Sequence, residues 1–194
     1  IVFTFVRGAL QLATSTELMS PPCDQASVNL TLPLVAAIYD KSILYWNDSR
    51  LLAHNPCLAT NVVKPEILAL HRTGVSSATF ALTKSLYSYS NDPNWAAPSY
   101  NWPLNYANPL NMILRKNDHM VYAISSFENA LGYYYYYYDD GAAPVRAVTL
   151  INDGNYSVQL TPESLRNGAR VTPPTDQPHN VTCPNCWPLI SSAY

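Results

Sequence analysis

Charge is scarce in this chain of 194 residues. Charged side chains make up 12% of it, about half of the roughly 25% that is usual in soluble proteins. The formal net charge is −2, so no basic field is available to attract nucleic acid. We therefore expect no nucleic-acid partner, and something other than charge must keep the surface hydrated.

Long apolar runs are also absent. No run approaches the roughly 18 apolar residues that a membrane span requires, and the apolar segment 1–12 is interrupted by Arg7. No signal-peptide pattern is visible, and the chain begins with Ile1 instead of methionine. We expect no membrane span, and we interpret the chain as processed or as part of a longer polypeptide.

Patterns typical of catalysis and metal binding are missing too. The chain has no Gly-x-Ser-x-Gly nucleophile turn. Its histidines are scattered without the spacing of metal ligands: His54, His71, His119 and His179. We predict no enzyme activity and no metal, and we expect His71 to orient its turn. We expect no cofactor. The bound groups to consider are N-linked glycans and phosphate.

Four N-x-S/T sequons could carry those glycans. Chance would place one or two in a chain of this length, and the sequons begin at Asn29, Asn47, Asn155 and Asn180. Together with the low charge and an even number of cysteines, they predict an extracellular glycoprotein that is secreted through a eukaryotic pathway.

The cysteines allow three pairings, and they are Cys23, Cys57, Cys183 and Cys186. The Cys183-Pro-Asn-Cys186 segment could be a redox motif, half of a zinc site or a small structural loop. Pro184 and Pro188 indicate an irregular backbone here, which disfavours a redox motif. Because a secreted chain more often forms disulfides, we expect Cys23–Cys57 and Cys183–Cys186.

Apolar periodicity and turn residues predict an α/β chain with a mainly parallel or mixed sheet flanked by helices. The predicted strands are 1–12 (extending to Thr14), 67–70, 119–124, 145–151 and 187–192, with 133–138 as a strand or strand-to-helix junction. The predicted helices are 32–38, 49–53, 77–87 and 161–168, with a helical turn at 109–115. The segment 92–108 is predicted to be a long loop, because it contains three prolines.

The junction between the strand at 67–70 and the helix at 77–87 has the layout of an oxyanion site. A polar turn, 71–74, connects them, and Ser76 or Ser77 is placed to cap the helix. A helix start offers unpaired N–H groups and a partial positive charge, and an arginine adds bidentate geometry. The predicted oxyanion ligands are Arg72, Thr73, Ser76 and Ser77, with Thr79 as a possible helper.

The decamer 71–80 is similar to His-Arg-Ser-Asp-Gly-Ser-Gly-Thr-Thr-Phe, the ligand loop of the phosphate-binding proteins of bacterial phosphate ABC transporters. Further segments are similar to the family's in the same order along the chain, some before this decamer and some after it: Lys41, Trp46-Asn47-Asp48, Asn55-Pro56, Asn101-Trp102-Pro103, Leu131-Gly132-Tyr133, 152–156 and 161–164. The resemblance implies a periplasmic-binding-protein-like fold, in which two lobes clamp the ligand. The chain would supply mainly the second lobe, with the first lobe largely missing or contributed by another segment or chain.

Several positions depart from that ligand loop. Gly74 stands where the family has an aspartate that helps hold the arginine, Val75 and Ser77 replace glycines, and Ala78 replaces a ligand-contacting threonine. The resemblance therefore implies a degenerate anion site. We interpret 1–194 as one domain, with 1–15 as an inter-lobe or edge strand, 28–170 as the main lobe and 171–194 as a Pro/Cys-rich return segment.

The six consecutive tyrosines at 133–138 could form an adhesive, a sugar-stacking platform or a crosslinking site. The plainer interpretation is that alternate rings pack inward while the others line a surface or an interface.

Three functions remain open. The first is a structural, self-assembling protein of filament type, which donates an apolar strand containing Ile1, Val2, Phe3, Phe5 and Val6 to a neighbouring copy. The alternatives are a receptor for phosphate or another oxyanion, and a module that binds carbohydrate or a surface.

Overall fold

The structure is a computed structural model and describes residues 8–87, 89–90, 92–93, 95, 97–103, 106–138, 143–171, 182–188 and 190–191. The strands are β1 (Gly8–Ser15), β2 (Asn29–Thr31), β3 (Leu68–Ala69), β4 (Ala130–Tyr135), β5 (Val145–Ala147), β6 (Thr149–Ile151), β7 (Ser157–Val158) and β8 (Ile190–Ser191). The α-helices are α1 (Leu32–Tyr39), α2 (Ser49–Leu52), α3 (Ser77–Leu86), α4 (Asn117–Ser126) and α5 (Pro162–Val171). Short 3-10 helices cover Pro56–Ala59, Pro109–Asn111 and Tyr136–Tyr138.

Two mixed sheets carry the fold. The larger sheet has the order β3-β4-β1-β5, with β8 also paired to β1, and the smaller sheet has the order β2-β6-β7. β3 runs parallel to β4, whereas β1 is antiparallel to β4, β5 and β8. Helices cover the larger sheet, since α4 and α3 both contact β4. The predicted α/β class with a mixed sheet is therefore confirmed.

The first strand lies inside its sheet. β1 pairs with β4 on one side and with β5 on the other, and Leu10, Leu12 and Ala13 are completely buried. The described part of the segment 1–15 is thus an interior strand and not an edge strand. The expected assembly strand at residues 1–6 lies outside the described residues.

The strand predicted at 119–124 is wrong, because these residues belong to α4. Met120, Ala123 and Ile124 are buried, and their spacing of three and four residues is that of a helix face. The helix can approach β4 closely because that strand contains Gly132. A Cβ atom at this position would come within 2.7 Å of the Ile124 side chain and 2.8 Å of the Met120 sulfur.

The strand predicted at 145–151 is divided between the two sheets. β5 pairs with β1, whereas β6 pairs with β2. The change occurs at Val148, whose N–H donates to Leu12 O at 2.9 Å, while the next N–H, of Thr149, donates to Val28 O at 2.9 Å. The sequence shows one extended run, and only long-range partners reveal the crossing.

The tyrosine run confirms a strand-to-helix junction but not the expected alternation of rings. β4 ends at Tyr135 and a 3-10 turn follows. Tyr133, Tyr134 and Tyr135 are all buried, and Tyr137 is 69% exposed. Consecutive rings are buried because both faces of β4 are covered, whereas alternation requires one face to meet water.

The other predicted helices are confirmed with small shifts of their ends. Thr31 caps α1 by accepting a hydrogen bond from Leu34 N at 3.3 Å. Thr161 Oγ1 accepts from Ser164 N at 3.1 Å, and Pro162 begins α5. Only the 3-10 turn Pro109–Asn111 forms within the helical turn predicted at 109–115.

Both predicted disulfides are present. Cys23–Cys57 joins the loop after β1 to the first 3-10 turn, with the Cα atoms 5.9 Å apart, and Cys183–Cys186 closes a tight loop. Disulfides are typical of extracellular and periplasmic compartments. Among the helices that the structure describes, none combines the length and the apolar character needed to cross a membrane.

Candidate functional site: the anion loop and a neighbouring cavity

Residues 70–76, which we call the anion loop, connect β3 to α3 as the sequence predicts. Ser76 is the N-cap residue, and its Oγ accepts a hydrogen bond from Thr79 N at 3.3 Å. Within the loop, the left-handed backbone conformation falls on Gly74, with φ of 77°. Val75 and Ser77 consequently need no positive φ, which explains how this loop folds without glycine at those two positions.

Arg72 is bound by its own chain. The residue is only 8% exposed, its Nε donates to Leu114 O at 3.0 Å, and its Nη1 donates to Asn117 Oδ1 at 3.0 Å. Its Nη2 donates to Arg115 O. The guanidinium therefore fastens the anion loop to the segment 114–117 at the start of α4, and we call this set of bonds the Arg72 clamp.

Backbone N–H groups of the loop also donate hydrogen bonds to other parts of the protein. Ser76 N donates to Tyr100 O at 2.8 Å, and Thr73 N donates to Leu114 O at 3.0 Å. The Thr73 hydroxyl is buried without a hydrogen bond to any described residue. Ser77 is exposed. The structure thus places all four predicted oxyanion ligands on one loop, but it directs the groups of Arg72, Thr73 and Ser76 largely towards the protein.

Tyr133 connects the loop to the core of the sheet. Its hydroxyl accepts a hydrogen bond from Arg72 N at 3.1 Å and lies 2.8 Å from Thr79 Oγ1. Burial raises the pKa of Tyr133 to about 12, although the hydrogen bonds from Arg72 and Thr79 offset part of the rise. The phenol stays neutral at ordinary pH and holds the loop against β4. Sequence reasoning missed this role, because a tyrosine within a run of tyrosines carries no distinguishing signal.

His71 packs between the loop and a group of aromatic residues. Its ring stacks on Trp102 at a centroid distance of 4.6 Å, and its ring nitrogens lie 3.1 Å from Arg72 O and 2.8 Å from Tyr106 O. Burial lowers the pKa of His71, and the two carbonyl oxygens oppose this effect. Asn108 completes the support, since its side chain exchanges two hydrogen bonds with the His71 backbone.

Positive side chains are present beside the clamp. Arg115 and Lys116 are exposed, and together with Arg72, Asn117 and Asp118 they line an open cavity of about 540 Å³. No sequence pattern connects these residues with the anion loop, because they follow it by about forty positions.

A second cavity, of about 260 Å³, lies beside β3. Its walls include the aromatic residues Tyr39, His71, Trp102 and Tyr106, and its rim includes Lys41 and Glu66. Lys41 Nζ lies 3.9 Å from the centre of the Tyr106 ring, an arrangement typical of a cation–π contact. We call this the β3-edge cavity; no motif in the sequence predicted it.

The remaining predicted positions are dispersed. His54 follows α2 and His119 lies in the first turn of α4, and His179 falls outside the described residues. In the parts of the chain that the structure describes, no group of three His, Cys, Asp or Glu side chains could hold a metal ion.

Among the sequon asparagines, Asn47 and Asn155 are exposed, Asn29 is half-buried with its Nδ2 donating to His54 O, and Asn180 is not described.

The chain matches solved structures, although it matches no family model and no curated protein. These structures include a phosphate-binding protein from Stenotrophomonas maltophilia, with 14% identity, a TM-score of 0.57, and coverage of 96% of this chain and 52% of that chain. A putative phosphate ABC transporter substrate-binding protein from Clostridium perfringens, with bound phosphate, has 20% identity and a TM-score of 0.55, with 86% and 53% covered.

A high-affinity periplasmic phosphate-binding protein, also bound with phosphate, gives a TM-score of 0.63 at 12% identity, with 96% of this chain and 54% of that chain covered. The chain spans about half the length of the structures that it matches. It therefore has the phosphate-binding-protein-like fold and fits a single lobe of it. At such low identity the likeness concerns the fold, and function must be argued from the residues of the site.

Proposed function

We propose that this chain is a lobe of a secreted, non-enzymatic glycoprotein in which the anion loop has become a structural clamp, and that the lobe serves as a building block of an extracellular assembly. The observation that supports this proposal is the Arg72 clamp. A buried guanidinium that donates to two carbonyl oxygens and one amide oxygen, with Leu114, Arg115 and Asn117 as the acceptors, already has the partners that an anion would otherwise provide.

Capturing phosphate through Arg72 would require these bonds to be exchanged. Buried carbonyl oxygens that lose a charged donor cost about 1–3 kcal/mol each when nothing replaces it. The Ser76 N–H would also have to leave Tyr100 O. A preorganised receptor instead directs its donors at the ligand before the ligand arrives. The observed bonds therefore favour a role in holding the loop to α4.

The surface is compatible with secretion and glycosylation. Asn47 and Asn155 are exposed, so a glycan could be attached at either without disturbing the core. The two disulfides agree with an oxidising compartment. We assign the chain to the eukaryotic secretory pathway on the four sequons, and mass spectrometry of tryptic glycopeptides from the native protein tests this assignment.

Assembly is proposed to use the apolar segment 1–6, which would add to a sheet of a neighbouring copy. Electron microscopy of the native glycoprotein should show ordered polymers, and removal of residues 1–7 should abolish them. The deletion stops there because Gly8 already pairs with Ser191. Val75→Ser, which removes an apolar side chain that is 78% exposed, is the matched control. Monomers of the native protein, or polymers that survive the deletion, would contradict this part of the proposal.

An oxyanion receptor is the second candidate. It is favoured by Arg115 and Lys116 beside Arg72, and by the amides of Ser77 and Ala78 in the first turn of α3, where backbone donors face outward. Such a receptor would gain thermal stability in millimolar phosphate, whereas a purely structural lobe would not.

A carbohydrate-binding module is the third candidate and has less support. Half of the tyrosine run is buried in β4, and only the half that follows the strand, with Tyr137 69% exposed, is open to a sugar. Exposed tyrosines occur elsewhere, at Tyr45, Tyr100, Tyr122 and Tyr156, and a glycan array without hits would remove this candidate.

A further inference from the structure

The β3-edge cavity contains polar groups that the fold has not used. Leu68 N and Leu70 N both donate towards β4, to Asn129 O at 3.0 Å and Leu131 O at 2.8 Å. Because alternate residues of a strand face opposite sides, Ala69 directs its N–H and C=O away from β4. Within the described part of the chain, neither of these groups has a hydrogen-bond partner, and Ala69 lines the cavity.

The open edge at Ala69 is short. On its N-terminal side, Ile67 N donates to Leu44 O at 2.8 Å, and Tyr45 forms an isolated antiparallel bridge with Glu66. On its C-terminal side, the His71 backbone is occupied by Asn108. The sheet edge is therefore closed at both ends, and a gap for about one extended residue remains between them.

Residues of opposite charge, Glu66 and Lys41, line the cavity around this gap. Glu66 precedes β3, whereas Lys41 lies over Tyr106, whose carbonyl oxygen contacts the His71 ring at the far end. Both residues are exposed and line the cavity, and neither forms a salt bridge with another described residue. Lys41 has a φ of 63°, a conformation that lysine rarely adopts.

The walls between the two charges are apolar and aromatic. Leu68, Ile38 and Ile43 accompany Tyr39 and Trp102 around the cavity. The indole N–H of Trp102 is buried and makes no hydrogen bond to any described residue. An occupant that matches these walls needs an uncharged centre with at least one apolar group, and it can place an acceptor near the indole.

We propose that the β3-edge cavity binds a short zwitterionic peptide of two or three residues. Its backbone would lie parallel to β3, exchanging hydrogen bonds with the N–H and C=O of Ala69. Its α-ammonium group would face Glu66 and its α-carboxylate would face Lys41. The volume of about 260 Å³ is just below the range of about 300–1,000 Å³ that is usual for ligand sites, which suits such a small occupant.

The proposal is independent of the structural role of Arg72, because Arg72 does not line this cavity. The probe is the tripeptide alanyl-leucyl-alanine with free termini, titrated into the native glycoprotein and followed by calorimetry. Binding should also shift the amide resonance of Ala69 in an isotope-labelled sample. Acetylation of the amino end and amidation of the carboxyl end should together weaken binding by about tenfold, since each removes one exposed charge pair.

Two variants test whether the carboxyl end of the peptide lies near Lys41 and its amino end near Glu66. In Lys41→Met, amidation of the peptide should have no further effect, and in Glu66→Gln, acetylation should have none. Lys64→Met is the matched control, because Lys64 is paired with Glu128 at 3.0 Å and does not line the cavity. Absence of binding at 10 mM peptide (about 2.7 kcal/mol of standard free energy), or binding that ignores the capping of both ends, would overturn the proposal.

Discussion

The anion loop and the β3-edge cavity lie on either side of His71, and they differ in how their polar groups are used. In the loop, the arginine, the serine amide and the threonine amide all have partners within the protein. In the cavity, the backbone groups of Ala69 have no hydrogen-bond partner among the described residues, and neither Lys41 nor Glu66 forms a salt bridge with one, although Lys41 contacts the Tyr106 ring. Ligand-like residue types therefore do not by themselves identify the place where a ligand binds.

The comparison is tested most strongly by removing the Arg72 clamp. Arg72→Met should lower the free energy of unfolding by about 3 kcal/mol, because two buried acceptors and one partly buried acceptor lose a charged donor. Arg115→Met is the control, since its side chain is exposed and should contribute less than about 0.5 kcal/mol. Urea unfolding measures both values. A cost for Arg72→Met no larger than that of the control would show that the clamp is not structural.

Tyr133 offers a smaller test from the core side of the loop. Tyr133→Phe removes the hydroxyl that binds Arg72 N and Thr79, and should cost about 1–2 kcal/mol at pH 7.

The same substitution should change the alkaline behaviour. The folded pKa of Tyr133 is about 12, above the value of about 10 for an exposed tyrosine. Tyr133 therefore stabilises the fold fully below pH 10, and this contribution is lost as the pH rises to 12. Tyr133→Phe should show a shallower decline over this interval. Because Tyr39 also has a pKa raised by burial, part of the decline should persist, and an unchanged slope would contradict the role assigned to Tyr133.

A substitution at Gly74 tests whether the loop backbone is held in one conformation. Gly74→Ala should cost about 1 kcal/mol, since its φ of 77° is unfavourable for alanine, and no steric clash contributes because a Cβ there meets nothing within 4 Å. Thermal unfolding compared with that of Val75→Ala provides the control. A neutral Gly74→Ala would indicate that the loop backbone is easily rearranged, as an adaptable anion site would require.

The smallest expected effect concerns His71, which contacts both regions. Its folded pKa is lowered by burial, so the unfolded chain binds the proton more tightly. Stability should therefore be complete above about pH 6.5, and it should decline as the pH falls from there towards the folded pKa. Thermal unfolding of the native protein and of His71→Gln across pH 7 to 5 measures this. The decline should be reduced in the variant, and an equal decline in both would assign it to other groups.

Local patterns in the sequence predicted the elements that local chemistry determines. Ser76 caps α3 and Thr161 caps α5 as expected, and the cysteines pair as expected. The resemblance carried by 71–80 and the motifs before and after it identified the fold, although identity to the solved structures does not exceed 20% in those compared.

The errors arose where distant contacts decide the outcome. Met120, Ala123 and Ile124 form a helix face, yet a pattern of only six residues also fits a strand. The tyrosines of β4 are buried in succession because helices cover both faces of the sheet, which the run itself cannot reveal. The partners of Arg72 lie more than forty residues away, so sequence reasoning placed the arginine in an anion site without seeing the groups that occupy it.

The most direct test of the central claim is calorimetric titration of the native protein with inorganic phosphate. If Arg72 is committed to the clamp, phosphate should bind with a dissociation constant weaker than about 1 mM, corresponding to about 4.1 kcal/mol or less. A dissociation constant of about 1 µM, lost in Arg72→Lys while the stability of that variant is retained, would contradict the structural role and establish an anion receptor.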